Sequence, residues 1–202
     1  MRKVSLLFAA VATIAMVSCN DGNKKGEMED PRTEGLEDST MVDNATSEDM
    51  EMINDVVINL EPKSGSTAIG TVTFTQEGDM VKFNAELSGL KPGTHAIHIH
   101  ETGDCSAADG KSAGGHWNPT FEQHGKWGDE AGYHKGDIGN FEADADGNGT
   151  ISMQTNEWCI GCDDANKNIL GKGIIVHEGA DDFKSQPSGD AGSRVSCGGI
   201  IE

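Results

Sequence analysis

Short stretches in which apolar and polar residues alternate follow one another from residue 54 to the end of the chain. Between residues 71 and 75, Val72 and Phe74 alternate with threonines, which is the period-two pattern of a half-buried β-strand. Gly, Asp and Asn interrupt the alternation at 77–79 and at 146–149, where they predict tight turns. No stretch shows a convincing helical period. The predicted strands lie at 55–62, 66–78, 79–90, 95–101, 136–147, 149–156, 171–178 and 193–202.

Eight short strands without helices predict an all-β fold, an eight-stranded β-barrel or sandwich with Greek-key connections. Two connections, 102–135 and 179–193, are longer than ordinary loops. Loops longer than about 12–15 residues are usually functional in a compact domain. Six of the 7 histidines lie between residues 93 and 140, so we expect the chemistry to be concentrated beside these two loops.

The N-terminal part of the chain has a different composition. Arg2 and Lys3 precede an apolar run at 6–17, which is typical of a secretory signal peptide and shorter than the roughly 20 residues of a membrane span. Ser18 precedes Cys19, and the tetrapeptide MVSC resembles the cleavage box of bacterial lipoproteins, in which this cysteine becomes the lipidated N-terminus. An ordinary signal peptide with an incidental cysteine is the alternative.

Residues 20–53 are rich in Glu, Asp, Ser, Thr and Gly and contain no aromatic residue, a composition typical of disordered segments. The predicted organisation is therefore a lipoprotein signal peptide at 1–18, a lipidated Cys19 with a disordered acidic linker at 19–53, and a folded domain at 54–202. The formal net charge of -19 argues against a nucleic-acid partner and against electrostatic attraction to anionic membranes. We expect any membrane attachment to be made through the N-terminal lipid.

The spacing of the histidines indicates metal binding. His98 and His100 are two residues apart on a predicted strand, so they share one face with Cβ atoms roughly 6.5–7 Å apart. Two imidazoles at that spacing can converge on one metal ion. His95 has the opposite parity, and we expect it to be a hydrogen-bonded structural residue. His177 ends a later apolar run and can reach back toward His98 and His100.

The first long loop also contains His116, and His124, His134 and Asp137 supply two further imidazoles and a carboxylate. With a third imidazole these residues form a closed tetrahedral set that suits structural Zn(II). Adventitious metal binding by histidine-rich surface loops is the alternative, but two sets of different ligand chemistry in one small domain argue against it.

Five segments, in order and at compatible spacing, resemble the copper/zinc superoxide dismutase family: HAIHIHETGDC, SAGGHWNPT, QHGKWGDEAGYHKGDIGN, GIIVHEGADD and DAGSRVSCGGI. The resemblance covers roughly residues 54–202. GDIGN and AGSRVSCG are its most specific parts, because no argument from composition predicts them.

The resemblance implies a two-metal site. It implies that copper is bound by His98, His100, His116 and His177, and zinc by His116, His124, His134 and Asp137. His116 would thus bridge the two metals and exchange a proton during the reaction.

The resemblance also implies roles for residues around the metals. Asp181 would link His98 to His124, and Arg194 would dock the anionic substrate beside copper. Cys105 and Cys197 would form a disulfide bond, which suits an exported protein.

Two features depart from the family pattern or lie outside it. The second long loop has a single lysine, Lys184, among several acidic residues, whereas members of the family commonly place lysines there; we hypothesise a rate below the family's best. The two remaining cysteines, Cys159 and Cys162, lie in the motif WCIGC, and the resemblance to the family implies no role for them. A local disulfide in an exposed loop is the first interpretation, and a redox-active or metal-accepting pair is the alternative.

The sequence therefore predicts an enzyme that converts superoxide to O2 and hydrogen peroxide with copper and zinc. We expect it to be anchored by lipid in a bacterial cell envelope, facing the periplasm, as a monomer or a homodimer. A dismutase-like protein that stores or carries copper or zinc is the second hypothesis. A purely structural sandwich is the third, and it would have no reason to keep a full set of metal ligands.

Overall fold

The computed structural model describes residues 54–201, in which alternating residues form the predicted antiparallel strands. The predicted signal peptide, Cys19 and the acidic linker lie outside the described residues. The strands are β1 Asn54–Pro62, β2 Ile69–Glu77, β3 Met80–Ser88, β4 Gly93–His100, β5 Gly139–Ala143, β6 Gly149–Thr155, β7 Gly173–His177 and β8 Arg194–Gly199. A single turn of 3-10 helix, Lys111–Ala113, is the only helical element between residues 54 and 201, and this part of the chain has no helix long and apolar enough to cross a membrane.

The strands close into a barrel in the order β1-β2-β3-β6-β5-β4-β7-β8. All pairs are antiparallel, and the chain crosses from β3 to β4 while β3 pairs with β6, as in a Greek key. Closing the sheet leaves no free edge strand. The prediction of an eight-stranded all-β Greek-key barrel is confirmed.

Burial follows the alternation of the sequence. In β3, Val81, Phe83, Ala85 and Leu87 point into the barrel while the residues between them are exposed. Phe83 contacts Phe74 of β2 with ring centroids 5.2 Å apart. Burial of each large apolar side chain contributes about 1.5–3 kcal/mol, so this core holds the barrel together.

Three long connections leave the barrel. We name them the histidine loop (residues 101–138), the cysteine loop (156–172) and the lid (178–193). The histidine loop joins β4 to β5 and the lid joins β7 to β8, and these four strands are neighbours in the order β5-β4-β7-β8. Both loops predicted to be functional therefore arise from one side of the barrel. The cysteine loop was not among the long loops that the sequence predicted.

Two disulfide bonds close loops of very different size. Cys105–Cys197 joins the histidine loop to β8 over 92 residues, and Cys159–Cys162 spans 3 residues within the cysteine loop. In the chain-entropy model these bridges stabilise the fold by about 4–5 kcal/mol and about 1.5 kcal/mol, respectively. The first bridge is therefore the stronger constraint on the unfolded chain.

Candidate metal centre

Strands β4 and β7 place three histidines on the outer face of the barrel, under the loops. His98 and His100 alternate with Ile97 and Ile99, whose side chains enter the core. His177 ends β7, which pairs directly with β4. Every residue of β4 from His95 onward is buried, because the loops cover its outer face.

The histidine loop brings His116 alongside these residues. His116 forms an isolated antiparallel bridge with His100, and the neighbouring Trp117 donates its backbone N–H to the Ile99 carbonyl at 2.8 Å. The imidazole of His116 lies with its centroid 4.0 Å from that of His98. Backbone hydrogen bonds thus fix the position of a side chain that is distant from β4 in sequence.

Four buried imidazoles form what we call the four-histidine cluster: His98, His100, His116 and His177. Each offers one ring nitrogen, and these four nitrogens lie within 4.8 Å of one another. Six buried side-chain atoms among residues 54–201 have no hydrogen-bond partner, and four of them belong to this cluster: His98 Nδ1, His100 Nε2, His116 Nε2 and His177 Nε2. A buried polar atom without a partner costs about 1–3 kcal/mol, so four converging ones fit a metal ion. A set of four imidazoles suits copper.

The opposite nitrogen of each ring is held in place. The partners are Asp181 Oδ2 for His98 (2.9 Å), the Gly114 carbonyl for His100 (3.0 Å), Asp137 Oδ1 for His116 (2.8 Å) and the Gly192 carbonyl for His177 (3.4 Å). Such contacts fix the tautomer and the ring orientation of a ligating histidine.

A second group, the Asp137 cluster, shares His116 with the first and consists of His116, His124, His134 and Asp137. The carboxylate of Asp137 lies 2.8, 3.0 and 3.3 Å from the Nδ1 atoms of His116, His124 and His134, respectively. Asp137 Oδ2 also accepts the backbone N–H of His134 at 2.8 Å, which orients the carboxylate. Three Nδ1 atoms around one carboxylate match the ligand set of tetrahedral zinc.

Asp181 of the lid connects the two clusters. Its Oδ2 accepts from His98 Nε2 and its Oδ1 from His124 Nε2, both at 2.9 Å. Asn140 fixes the backbone of Asp181 from both sides, with two hydrogen bonds of 2.8 Å. Gly189, in the left-handed region with φ 72°, packs so closely against Asp181 that only glycine fits there. Sequence reasoning did not single out Asn140 or Gly189, although Asn140 lies in the specific GDIGN segment.

Arg194, at the start of β8, lies beside the four-histidine cluster. Its Nη1 donates to the Gly110 carbonyl at 2.8 Å and its Nη2 to the Gly114 carbonyl at 2.7 Å. Arg194 lines a cleft of about 730 Å³ together with His100, His116 and His177. The guanidinium therefore faces the same space as the imidazoles of one cluster.

The charges of the histidines favour metal binding. Burial lowers the pKa of His100 and of His177 well below the usual value, and the neighbouring imidazoles lower it further. Burial and the nearby His98 also lower the pKa of His116, to about 4, against the opposing effect of Asp137. These rings are therefore neutral at neutral pH, which is the form that binds metals.

The carboxylates have the opposite effect. Burial alone would raise the pKa of Asp137 and of Asp181, but hydrogen bonds from the histidines outweigh burial and lower both below the usual range. Burial opposes a charge on His124, yet the two carboxylates raise the pKa of that ring to about 9. The ionised carboxylates thus hold a proton on His124 when no metal is bound, and a divalent cation at the Asp137 cluster would displace that proton.

His95 lies apart from both clusters. As its parity predicts, it is on the other face of β4, buried and stacked on Phe141 with centroids 5.8 Å apart. Its two ring nitrogens contact the carbonyls of His177 at 2.8 Å and Lys91 at 2.7 Å. His95 therefore has a structural role, supporting the end of β7.

Residues at the start of the cysteine loop form hydrogen bonds with the histidine loop and stabilise it. Glu157 accepts hydrogen bonds from Tyr133 at 2.7 Å and from Lys135, and Trp158 Nε1 donates to the Lys135 carbonyl at 2.8 Å. Burial opposes ionisation of Glu157, but the bonds from Lys135 and Tyr133 outweigh it and lower the pKa of this carboxyl. These contacts flank the ligand candidate His134.

An eight-stranded Greek-key barrel with two clusters of potential metal ligands that share one histidine is typical of a dinuclear metalloprotein. The family model described as copper/zinc superoxide dismutase matches residues 68–200. The chain belongs to the copper/zinc superoxide dismutase family, whose members are oxidoreductases that use copper and zinc.

Three relatives illustrate the similarity. The chain is 39% identical to the "Extracellular superoxide dismutase [Cu-Zn]" of Caenorhabditis elegans, over 65% of this chain and 60% of that protein. It is 38% identical to "Superoxide dismutase [Cu-Zn] 1" of Aquifex aeolicus, over 64% of this chain and 78% of the relative. It is 40% identical to "Superoxide dismutase [Cu-Zn] 2" of the same organism, over 62% of this chain and 74% of that relative. The match thus spans less than two thirds of the nematode protein and about three quarters of the two others.

Proposed function

We propose that this protein dismutates superoxide to O2 and hydrogen peroxide. Family membership supports this proposal, and the position of Arg194 carries it. Two backbone carbonyls hold the guanidinium at the cleft that the four-histidine cluster lines. A protein that only stored or carried metals would have no use for a cation fixed at that place.

We assign the two metals to the two clusters from the imidazole nitrogens that have no hydrogen-bond partner among the described residues. The four-histidine cluster would hold copper, and the Asp137 cluster would hold zinc. When bound, copper supplies the one-electron oxidation and reduction of superoxide, and zinc, which has no redox chemistry, supplies charge and a fixed geometry.

Arg194 binds the substrate in this proposal. An arginine stays charged at any physiological pH and presents five N–H donors in a fixed fork. Because Gly110 and Gly114 each accept one hydrogen bond from the guanidinium, the side chain is oriented before superoxide arrives. The remaining donors are available to a small anion.

In this proposal His116 delivers a proton to the reduced substrate. Its Nδ1 is held by Asp137 at 2.8 Å, while its Nε2 has no hydrogen-bond partner among the described residues, and the side chain lines the cleft. We assign to Nε2 the proton that is delivered to the reduced substrate.

The charge of the lid determines the rate constant that we expect for the reaction with superoxide. Lys184 is its only lysine, against Glu178, Asp181, Asp182 and Asp190. Steering by positive charge can raise association rates 10–10³-fold, and this lid offers little of it. We therefore propose a second-order rate constant below the diffusion ceiling of about 10⁹ M⁻¹s⁻¹. A measured constant at that ceiling, decreasing with added salt, contradicts this part of the proposal.

We also propose that the enzyme acts outside the cytoplasm, attached through lipid on Cys19 and facing the periplasm. The signal-like N-terminus supports this location, and two similar proteins, from Caenorhabditis elegans and Haemonchus contortus, are named extracellular. Incorporation of labelled palmitate into the full chain, lost in Cys19→Ser, tests the attachment.

Pulse radiolysis of the protein loaded with copper and zinc tests the activity. We expect rapid decay of superoxide that decreases about 10–100-fold in Arg194→Ala, because a charge-assisted hydrogen bond contributes about 1.5–3 kcal/mol. Arg194→Lys is the matched control, and it should retain part of the rate. Retention of both metals with no decay above that of buffer would instead support a metal-storing protein.

A further inference from the structure

The cysteine loop contains a disulfide bond that the dismutase chemistry does not use. Cys159 is 6% exposed, whereas its partner Cys162 is partly exposed at the surface. In the other bridge Cys197 is completely buried in the barrel wall, and Cys105 is partly exposed. Cys162 is thus the more accessible sulfur of the surface bridge.

Hydrogen bonds hold the backbone around this bridge independently of the sulfur atoms. Cys159 donates its N–H to the Lys167 carbonyl at 2.8 Å and accepts from Ile169 N at 3.0 Å. Asn168 Nδ2 donates to the Cys162 carbonyl at 2.9 Å, and Asn168 Oδ1 accepts from Gly161 N at 3.1 Å. Both cysteines are therefore attached to the segment 167–169 whether or not the bond between them exists.

The start of the loop is anchored in the core. Trp158, the residue before Cys159, is 1% exposed and contacts Phe74 and Phe83 edge to face. Ile160 donates its N–H to Gln76 Oε1 at 2.6 Å, which attaches the centre of the turn to β2. In the chain-entropy model a bridge over 3 residues contributes about 1.5 kcal/mol, against about 4–5 kcal/mol for Cys105–Cys197. Hydrogen bonds and core contacts thus hold this segment in addition to the bridge.

We propose that Cys159–Cys162 is a thiol–disulfide exchange site that accepts electrons from a dithiol. A thiolate of the dithiol attacks Sγ of Cys162, forms a mixed disulfide and displaces the thiolate of Cys159, which takes up a proton. The second thiol of the reductant then attacks its own sulfur in the mixed disulfide and releases Cys162 as a thiol. Two electrons and two protons pass to the protein, and the dithiol leaves as a disulfide.

The surroundings select the kind of reductant. Asp163 and Asp164 are exposed and follow Cys162 directly, so an anionic thiol is repelled from the attacked sulfur. A dithiol that carries no charge besides that of its attacking thiolate is repelled less, and it completes the second step within one molecule. Since the backbone is held without the bridge, the reduced pair stays in register and can close again.

Reduction of the native, metal-loaded protein by dithiothreitol tests the proposal. Thiols are trapped with iodoacetamide at intervals and assigned by peptide mass spectrometry, while a chromophoric chelator reports any zinc release. We expect Cys159 and Cys162 to be alkylated at least about tenfold faster than Cys105 and Cys197, with zinc retained, and glutathione to act more slowly at equal thiolate concentration. Oxidised dithiothreitol should restore the bond.

Two single variants test the direction of attack. The free Cys162 of Cys159→Ser should react with uncharged 4,4′-dithiodipyridine at least about tenfold faster than the free Cys159 of Cys162→Ser. Equal reactivity, earlier reduction of Cys105–Cys197, resistance of Cys159–Cys162 to the reductant, or loss of zinc on its reduction would each overturn the proposal. None of these measurements depends on dismutase activity.

Discussion

Replacement of Gly189 by alanine tests the connection between the two metal clusters. A Cβ atom at this position would lie 1.8 Å from Asp181 Oδ1 and 2.7 Å from His124 Nε2. Contacts below 3.0 Å essentially do not occur, so the carboxylate oxygen has to move by at least 1.2 Å. The backbone of Asp181 cannot follow, because Asn140 holds it with two hydrogen bonds. The 2.9 Å link from Asp181 to His124 is therefore lost.

The expected effect is on metal affinity. Loss of a carboxylate that orients a ligating histidine typically lowers metal affinity 10–100-fold, or about 1.4–2.8 kcal/mol. Competition with a chromophoric chelator measures this for zinc. We expect Gly189→Ala to release zinc to the chelator at about 10–100-fold lower chelator concentration than the unmodified protein.

Gly65→Ala is the matched control for this experiment. Gly65 has φ 73°, against φ 72° for Gly189, but no atom lies within 4 Å of the position that its Cβ would occupy. Both substitutions therefore introduce the same backbone strain of about 1 kcal/mol, and only one introduces the clash. Equal zinc affinity in the two variants would refute the reasoning.

Three further predictions concern stability. The pKa of Glu157 is lowered in the folded protein, so its contribution to the free energy of unfolding is present above about pH 4.5 and is lost as the pH decreases. In urea titrations, the free energy of unfolding should therefore decrease less between pH 5 and 3 in Glu157→Gln than in the unmodified protein. The same pH dependence in both proteins would contradict this prediction. Cys105→Ser with Cys197→Ser should lower the free energy of unfolding by about 4–5 kcal/mol in denaturant titrations, and a loss below about 1 kcal/mol argues against the constraint. Phe83→Ala should cost about 3–5 kcal/mol by the same assay, because the ring is fully buried against other aromatic rings.

The strands could be predicted from the sequence because their signal is local. Alternation in β3 and the turn glycine at Gly78 are visible within a few residues, and the structure has a strand and a turn at those places. The cysteine loop was missed as a long connection because its buried residues, such as Trp158 and Ile169, show no period. Such residues are buried by contacts with distant parts of the chain, which a local pattern does not contain.

The candidate site was predictable in part for the same reason. The shared face of His98 and His100 follows from strand geometry, but the choice of ring nitrogen does not. His98 is oriented by Asp181, 83 residues away, and His100 by the Gly114 carbonyl, 14 residues away. Only a resemblance to known proteins suggested Asp181, and nothing in the pattern pointed to Gly189. Contacts of this range become visible once the barrel brings β4, β7 and their loops together.

Asp181 and His116 have a thermodynamic consequence for metal loading. His116 belongs to both clusters, and Asp181 contacts one histidine of each. An ion that orders the side chains of one cluster therefore alters the conformational freedom of the side chains in the other. Any such coupling must be reciprocal: the factor by which the first ion changes the affinity for the second is the same in either order of addition. The two affinities then form a closed cycle, in which three measured constants determine the fourth. Copper and zinc bound at the two clusters would therefore titrate into this protein as one linked system, and the affinity of each site would depend on the occupancy of the other.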